Sequence, residues 1–470
     1  MSAEKTIATE SRDSGESMTR LRELATAPVG KLLLRYSLPA IVGTVVMALY
    51  NIIDSVVIGH AIDDPNVVAG IAVTFPVMNL ATALGMLIGA GAATRVSIVM
   101  GQNDKKQAEL ILGNSVLLTI IIGVCYMTAF AIWLNPILHL FGASPNSLPY
   151  AREFLLWVLP GMVLMNLTFS YNNVMRATGY PGRAMATNLI GAGLNLILAP
   201  LFLFVFKWGI RGAAIATDIS MLVTAFFVMA HFFKKKSTLH FKRGTFHFVW
   251  PVIRSVLYIG MAPFLINVAG SVINAIVNTS LLRYGGDNAI AAVVVFNRFV
   301  TIFIFVVIGI CQGMQPILGY NYGARKLDRL WRTLFLAAVS AVIITSIGSL
   351  TGYFLPEPIA RMFMQDPQQI SCAINCLKIT TLTFWLVGFQ IVATNFFQSL
   401  GMAGKAVFLS LTRQILFMIP LLLILPPHYG LDGVWSCFPI SDAVATIVAA
   451  LMLIWQIRHI KATAAQSSLN

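Results

Sequence analysis

The sequence predicts an all-α membrane protein with twelve transmembrane helices in two pseudo-symmetric six-helix bundles, related as a parallel repeat. Of its 470 residues, 57% are hydrophobic and 11% are charged, whereas soluble domains carry roughly 25% charged residues. The apolar residues form twelve runs of about 20 to 28 residues, the length that crosses ~30 Å of hydrocarbon. Such runs predict helices, because a barrel would alternate polar and apolar residues.

The runs place six spans in each half of the chain. In the first half they cover approximately 32–58, 67–98, 108–134, 151–175, 184–206 and 212–233. In the second half they cover approximately 251–282, 289–317, 330–355, 373–399, 404–426 and 432–458. We therefore predict five segments: a cytoplasmic tail at 1–30, an N-lobe at 31–233, a basic cytoplasmic linker at 234–250, a C-lobe at 251–460 and a cytoplasmic tail at 461–470.

The two halves carry matching motifs at a nearly constant spacing. The segment GYPGRA at 179–184 recurs as GMAGKA at 401–406, and LPA at 38–40 recurs as APF at 262–264. Because six is even, both halves enter the membrane from the same side, and the repeat is parallel. Parallel repeats of this kind are typical of secondary transporters.

The net charge of +14 comes from 32 Lys and Arg against 18 Asp and Glu. If the N-terminus is cytoplasmic, 22 of those 32 bases lie in the N-terminal segment, the even-numbered connections and the C-terminal end. This positive-inside asymmetry predicts that both termini are cytoplasmic. It explains the basic excess as an orientation signal, so we expect no nucleic-acid partner.

Motifs for catalysis and nucleotide binding are missing from the sequence. It has no G-x-x-x-x-G-K-[ST] loop and no H-E-x-x-H pair. The five cysteines mostly lie inside apolar runs, where small hydrophobic packing is the expected role. We therefore expect no enzymatic activity, no catalytic residues, no bound metal, no organic cofactor and no nucleotide partner, so that an ion gradient drives any transport.

Fifteen of the 18 acidic residues lie in the N-terminal tail, in connections or at the ends of spans, and three lie deeper within spans: Asp54, Asp218 and Asp442. A carboxylate inside the membrane costs a few kcal/mol or more, so its retention is a functional hypothesis. A packed, hydrogen-bonded structural acid is the alternative for each. We also predict a second polar site in the second half from Asp442, from Asn278, which falls on Asp54 at the repeat spacing, and from Arg298 in the middle of a span.

Several of these motifs resemble one transporter family. LPA at 38–40 followed by YNIIDSVVIG at 50–59 resembles the first helix of multidrug and toxic compound extrusion (MATE) transporters. Later motifs are similar to the same family: GAGAATRVS at 89–97, RATG at 176–179 and GAAIAT at 212–217. The resemblance covers about 31–460 and is closest to the bacterial drug-exporter branch. It implies a multi-pass protein of the bacterial cytoplasmic membrane that exports small, lipophilic, cationic compounds.

The resemblance also implies a cation-coupling pocket in the first half. In the family it consists of an Asp on helix 1, an Asn and an Asp on helix 5, and a Thr on helix 6. Asp54, Asn195 and Thr217 match three of these positions, whereas Ala199 stands where the helix-5 Asp is expected. Asp218 could supply a second carboxylate, although it projects about 100° away from Thr217 around the helix. The loss at Ala199 favours H⁺ over Na⁺ as the coupling ion.

These features predict a secondary active antiporter that exports cationic amphipathic drugs in exchange for H⁺ or Na⁺ by alternating access, working in the lipid bilayer as a monomer. The alternative is a flippase of the same superfamily for lipids or lipid-linked oligosaccharides. Arg298 and Arg413 keep that alternative open, while the span count and Asp54 oppose it. An intramembrane enzyme would need clustered catalytic groups at one depth, and the sequence offers none.

Overall fold

The computed structural model describes residues 19, 22–61, 65–234 and 237–467. Nearly all of these residues are helical, and no strand occurs among them. The predicted all-α class is therefore confirmed.

We number the membrane spans from 1 to 12 in chain order. The first six are Val29–Ala61, Pro65–Gly101, Lys105–Ile132, Leu148–Ala177, Pro181–Val205 and Gly209–Phe233. Spans 7 and 8 share the helix Trp250–Gly323, span 9 is Leu327–Phe354, and span 10 consists of Pro367–Thr380 and Phe384–Ser399. Spans 11 and 12 comprise Ala403–Leu411, a π-helical stretch Thr412–Met418, and Ile419–Ser467.

Two glycines divide the longest helices into separate spans. Gly286 (φ 62°, ψ −156°) lies between spans 7 and 8, and Gly430 (φ 58°, ψ −136°) lies between spans 11 and 12. These backbone angles lie outside the helical region and suit glycine, which lacks a Cβ atom. By length and hydropathy, the described residues contain nine helices that could span a membrane and one bent pair of helices that could form a tenth span. Gly286 and Gly430 each divide one of the nine helices into two spans. The predicted twelve spans follow.

The backbone repeats the internal symmetry seen in the sequence. Positive φ angles occur at Asn103 and Arg325, at Gly179 and Gly401, and at Gly209 and Gly430, each pair separated by nearly the same number of residues. Short helices also correspond, since Leu134–Leu140 precedes span 4 and Pro356–Phe363 precedes span 10. The two halves therefore share turns and short helices as well as spans, as a pseudo-symmetric repeat requires.

The described chain divides into two compact units. Unit 1 contains 1–267, 312–333 and 399–401, and unit 2 contains 268–311, 334–398 and 402–470. The lobe boundaries expected from the sequence stay a prediction, because this division is based on packing and not on the repeat.

Spans 2, 7 and 8 approach one another at glycines inside unit 1. A Cβ atom added to Gly260 of span 7 would overlap the Leu87 carbonyl of span 2, and one added to Gly91 of span 2 would overlap the Val256 carbonyl of span 7. Gly101 of span 2 likewise faces the Tyr320 carbonyl of span 8. Small residues permit such close approaches between membrane helices.

The chain segment ahead of span 1 is held by polar side chains from spans 8 and 9 and from the turn between them. The guanidinium of Arg329 donates to the carbonyl oxygens of Leu24 (3.1 Å) and Ala27 (2.6 Å). Lys326 donates to the Ala25 carbonyl at 3.1 Å, and Asn321 donates to the Leu24 carbonyl at 3.1 Å. These bonds satisfy carbonyls that a short helix leaves open at its end.

The linker ahead of span 7 is held in a comparable way by span 3. Lys242 forms a 2.5 Å ion pair with Glu109, and the Val249 amide donates to Asn114 Oδ1 at 2.9 Å. The segment that precedes each half of the repeat is thus fastened to helices of the other half, and all of these residues belong to unit 1.

Candidate cation site

The site begins with Asn195 on span 5. This span starts at Pro181, whose ring suits the first helical turn, and it continues beyond Pro200 as a π-helical stretch at Leu201–Val205. Asn195 is 2% exposed, and its Oδ1 atom is buried without a hydrogen-bond partner among the described residues. A buried acceptor of this kind can receive a proton donor or coordinate a cation.

Thr217 on span 6 contacts Asn195 directly. Asn195 Nδ2 donates to Thr217 Oγ1 at 3.1 Å, and Thr217 Oγ1 donates to the Ala213 carbonyl at 3.0 Å. Because the Thr217 hydroxyl donates its proton to a carbonyl of its own helix, its oxygen acts toward Asn195 as an acceptor. The structure therefore brings these two predicted site residues together.

The helical turn of span 1 that carries Asp54 lies beside this pair. Tyr50, Ile53 and Val57 of span 1 line a shallow recess together with residues of span 5: Asn195, Leu196, Ala199 and Pro200. Asp54 belongs to the helix Val29–Ala61, but its side chain lies outside the described ones. Its predicted role stays a prediction, while the placement of its turn against Asn195 is consistent with it.

Ala199 lies one helical turn beyond Asn195 and is 2% exposed. It forms a small apolar cluster with Phe202 and Ala216, the residue before Thr217. The position where the family resemblance leads one to expect a carboxylate is thus packed with methyl and aromatic groups. The described side chains around Asn195 supply amide and hydroxyl oxygens without a carboxylate from span 5.

Asp218 turns toward a different helix from its neighbour Thr217. Its carboxylate lies against Gly161 of span 4, where an added Cβ atom would come within 2.8 Å of Asp218 Cγ. Its Oδ1 atom is buried and has no hydrogen-bond partner among the described residues. Asp218 therefore fills a notch in span 4, and the described contacts do not join it to Asn195.

No hydrogen bond or ion pair among the described residues joins the residues of the predicted second polar site. Asn278 and Arg298 are exposed, whereas Asp442 is 3% exposed. The ion-pair partner of Asp442 is Arg413 on span 11, with Nε and Oδ1 2.6 Å apart. The sequence pattern missed this pairing, although both residues stood out as charges within apolar runs.

Two further amides that the sequence analysis left out, Asn172 and Asn188, connect spans 4 and 5. Asn172 Nδ2 donates to Asn188 Oδ1 at 3.0 Å and to the Ala184 carbonyl at 3.1 Å. Asn188 lies against Gly43 of span 1, whose added Cβ atom would be 2.8 Å from Asn188 Nδ2. The spacing of Asn188 and Asn195, two turns apart on one helix face, is the signal that could have found them.

The described groups at the site are an amide and a hydroxyl. No group of three or more His, Cys, Asp or Glu able to hold a metal ion occurs among the described residues. The described side chains of the site, those of Asn195 and Thr217, are uncharged.

Curated relatives are similar to the chain along most of its length. It is 26% identical over 430 residues to a multidrug export protein, MepA, of Staphylococcus haemolyticus, covering 91% of this chain and 94% of the relative. It is also 26% identical over 433 residues to MepA of Staphylococcus aureus strain MSSA476, covering 92% and 95% of the two chains.

Solved transporter structures share the fold. A MATE crystal structure in the bent conformation has a TM-score of 0.89 and 25% identity, covering 95% of this chain and 99% of the other. A MOP superfamily transporter from Pyrococcus furiosus has a TM-score of 0.87 and 25% identity, covering 93% and 98%. That structure was described as having a binding pocket of reversed polarity that suggests a different function.

The MatE family model matches the chain twice, at residues 39–201 and 263–424. The two matches begin at Pro39 and Pro263, the prolines that the internal repeat pairs with each other. Together they cover more than half of the sequence, and they agree with the twelve-span fold. The chain therefore belongs to the MATE family of membrane transporters.

Proposed function

We propose that the chain is a secondary active antiporter that exports cationic amphipathic drugs in exchange for H⁺ or Na⁺ by alternating access. The observation that carries this proposal is the Asn195–Thr217 pair, in which the buried Asn195 has an unpartnered amide oxygen and lies against the turn of span 1 that bears Asp54. A carboxylate beside such a pair can hold either a proton or a cationic group, and the two would compete. The staphylococcal relatives are multidrug export proteins, which supports the export of drugs by this chain.

The coupling ion that fits this site best is the proton. A bound Na⁺ requires several oxygen ligands, often backbone carbonyls or carboxylates. Ala199 removes one carboxylate from span 5, and the apolar cluster around Ala199 leaves no described oxygen in its place. A proton needs only one basic oxygen, so the loss of a second carboxylate weakens proton binding less than it weakens Na⁺ binding.

We further propose a bacterial inner-membrane location with both termini cytoplasmic, action as a monomer, and no cofactor beyond the coupling ion. The positive-inside distribution of Lys and Arg supports this orientation. In that orientation, the glycine contact between Gly91 and Gly260 and the bonds of Arg329 to residues 24–27 lie toward the cytoplasm. These contacts would have to open when the transporter exposes its site to that side.

The flippase alternative has less support. It depends on free cationic side chains that could bind a lipid phosphate, and Arg413 was one of the two bases that suggested it. Arg413 is instead paired with Asp442, which offsets its charge.

The proposal is tested by transport in liposomes. Purified protein is reconstituted, and ethidium efflux is driven by an imposed pH gradient or by an imposed sodium gradient, separately. We expect the pH gradient to drive efflux, and we expect Asp54→Asn to lower the rate at least tenfold with the melting temperature unchanged.

Asp328→Asn is the matched control. Asp328 is an exposed carboxylate at the start of span 9, and its loss should leave efflux unchanged. Failure of both gradients to move ethidium, or full efflux by Asp54→Asn, would overturn the proposed mechanism.

A further inference from the structure

Unit 2 contains an ion pair within its membrane spans. Arg413 on span 11 and Asp442 on span 12 lie 2.6 Å apart, measured from Nε to Oδ1. Arg413 follows Ala403 by ten residues and Asp442 follows Gly430 by twelve, which corresponds to about 15 Å and about 18 Å along the helices at 1.5 Å per residue. In a hydrocarbon layer of about 30 Å, both charges lie near the middle.

The two side chains of the pair differ in how deeply they are buried. The side chain of Asp442 is 5% exposed, whereas that of Arg413 is 32% exposed. Among the described residues, the Arg413 guanidinium is the one cation paired with the Asp442 carboxylate. The carboxylate is thus enclosed, whereas the guanidinium that pairs with it is partly exposed.

A purely structural role explains this arrangement poorly. Taking two charges out of water costs several kcal/mol per ion, and well-packed apolar residues often stabilise a protein as much as a buried ion pair does. Charges inside a membrane generally mark a substrate or ion path. Arg413 also lies on the π-helical stretch Thr412–Met418, and single π turns are frequent at functional sites.

The internal repeat also favours a functional role for the ion pair. Spans 11 and 12 correspond to spans 5 and 6, and in both halves a polar pair joins these two spans: Asn195 with Thr217, and Arg413 with Asp442. Span 5 also contains a π-helical stretch, Leu201–Val205. The repeat therefore places the ion pair within about one helical turn of the positions that correspond to the candidate site of the first half.

We propose that Asp442 is a second site for an organic cation and that Arg413 occupies it as a tethered competitor. This inference rests on the proposed export of cationic compounds. A lipophilic cation that approaches from the exposed side of Arg413 replaces the guanidinium at the Asp442 carboxylate. When the compound leaves, Arg413 returns, so the carboxylate always has a counter-charge in the membrane.

Binding of tetraphenylphosphonium to the purified full-length chain tests this assignment. The measurements use the Asp54→Asn background, so that the site of the first half does not contribute. We expect Arg413→Gln to tighten binding at least tenfold because the competitor is gone, and we expect Asp442→Asn to abolish binding. Arg361→Gln, which opens an exposed pair with Glu357, should leave binding unchanged.

A merely structural pair gives a different pattern, because both single variants would then lower the melting temperature and weaken binding alike. Unchanged or weaker binding by Arg413→Gln overturns the inference. Should that variant fail to fold, Arg413→Lys replaces it: its shorter side chain should tighten binding by a smaller factor, and equal or weaker binding again overturns the assignment.

Ethidium efflux measured on the same unmodified protein separates the two proposals. Loss of gradient-driven efflux in the unmodified chain would count against the antiporter itself. Normal efflux together with unchanged tetraphenylphosphonium binding in Arg413→Gln would count only against the second cation site.

Discussion

Replacing Gly260 with alanine should separate spans 2 and 7 where they pass closest. The added Cβ atom would lie 2.9 Å from Leu87 Cα and 2.5 Å from the Leu87 carbonyl carbon, whereas carbon atoms in good contact lie about 3.5 to 4.0 Å apart. The two backbones must therefore move apart by about 1 Å, because a neighbouring backbone cannot rotate away as a side chain can. Overpacking of this kind typically costs about 1–3 kcal/mol.

This free energy destabilises the conformation in which spans 2 and 7 are in contact. A loss of 2 kcal/mol lowers the population of that arrangement about thirtyfold relative to one with the spans apart. We therefore expect Gly260→Ala to lower both the melting temperature and the ethidium efflux rate in liposomes. Gly91→Ala should behave alike, since its Cβ atom would lie 2.9 Å from the Val256 carbonyl carbon.

Gly182→Ala is the matched control for these measurements. Gly182 lies in the first turn of span 5, and a Cβ atom added there meets nothing within 4 Å. It should keep the full melting temperature and efflux rate. If Gly260→Ala melts and transports as Gly182→Ala does, the proposed tight contact between spans 2 and 7 is refuted.

Three further predictions concern single side chains. Thr217→Val should slow efflux and cost about 1–3 kcal/mol of stability, because Asn195 Nδ2 loses its acceptor in a buried place; equal efflux and melting would contradict this. Ala199→Asp should make efflux respond to a sodium gradient in liposomes by adding a carboxylate one turn from Asn195, and a variant that folds yet ignores sodium would refute the explanation of the coupling ion. Arg329→Gln should increase trypsin cleavage within residues 20–35, since the Ala27 carbonyl loses its guanidinium donor and the Leu24 carbonyl keeps only Asn321. An unchanged cleavage rate would contradict that role.

The site was only partly predictable from the sequence. Asn195 and Thr217 were identified by family motifs and do contact each other. Asp218 was added to the site because it follows Thr217, but successive helical residues point about 100° apart, and its carboxylate lies against Gly161 of span 4. Membrane helices are apolar on the faces toward lipid and toward protein, so periodicity does not reveal which side a residue presents.

The ion-pair partner of the buried Asp442 could not be predicted from the sequence for a related reason. Asp442 was grouped with Asn278, which was chosen by the repeat spacing, and with Arg298, which like Asp442 is a charged residue within an apolar run. The structure pairs it with Arg413 across the turn at Gly430. The rotation of spans 11 and 12 about their own axes decides this contact, and no local residue pattern encodes that rotation.

The amino-acid sequence by itself determined the membrane environment, the twelve spans, the parallel repeat and the family. Those properties follow from the length of apolar runs, from charge placement and from motifs, all of which are local along the chain. Only the tertiary structure decided which polar groups meet, as with Asn195 and Thr217 or Arg413 and Asp442, and where glycines let backbones touch. Such contacts depend on helix rotation and register, which side-chain packing sets across segments far apart in sequence.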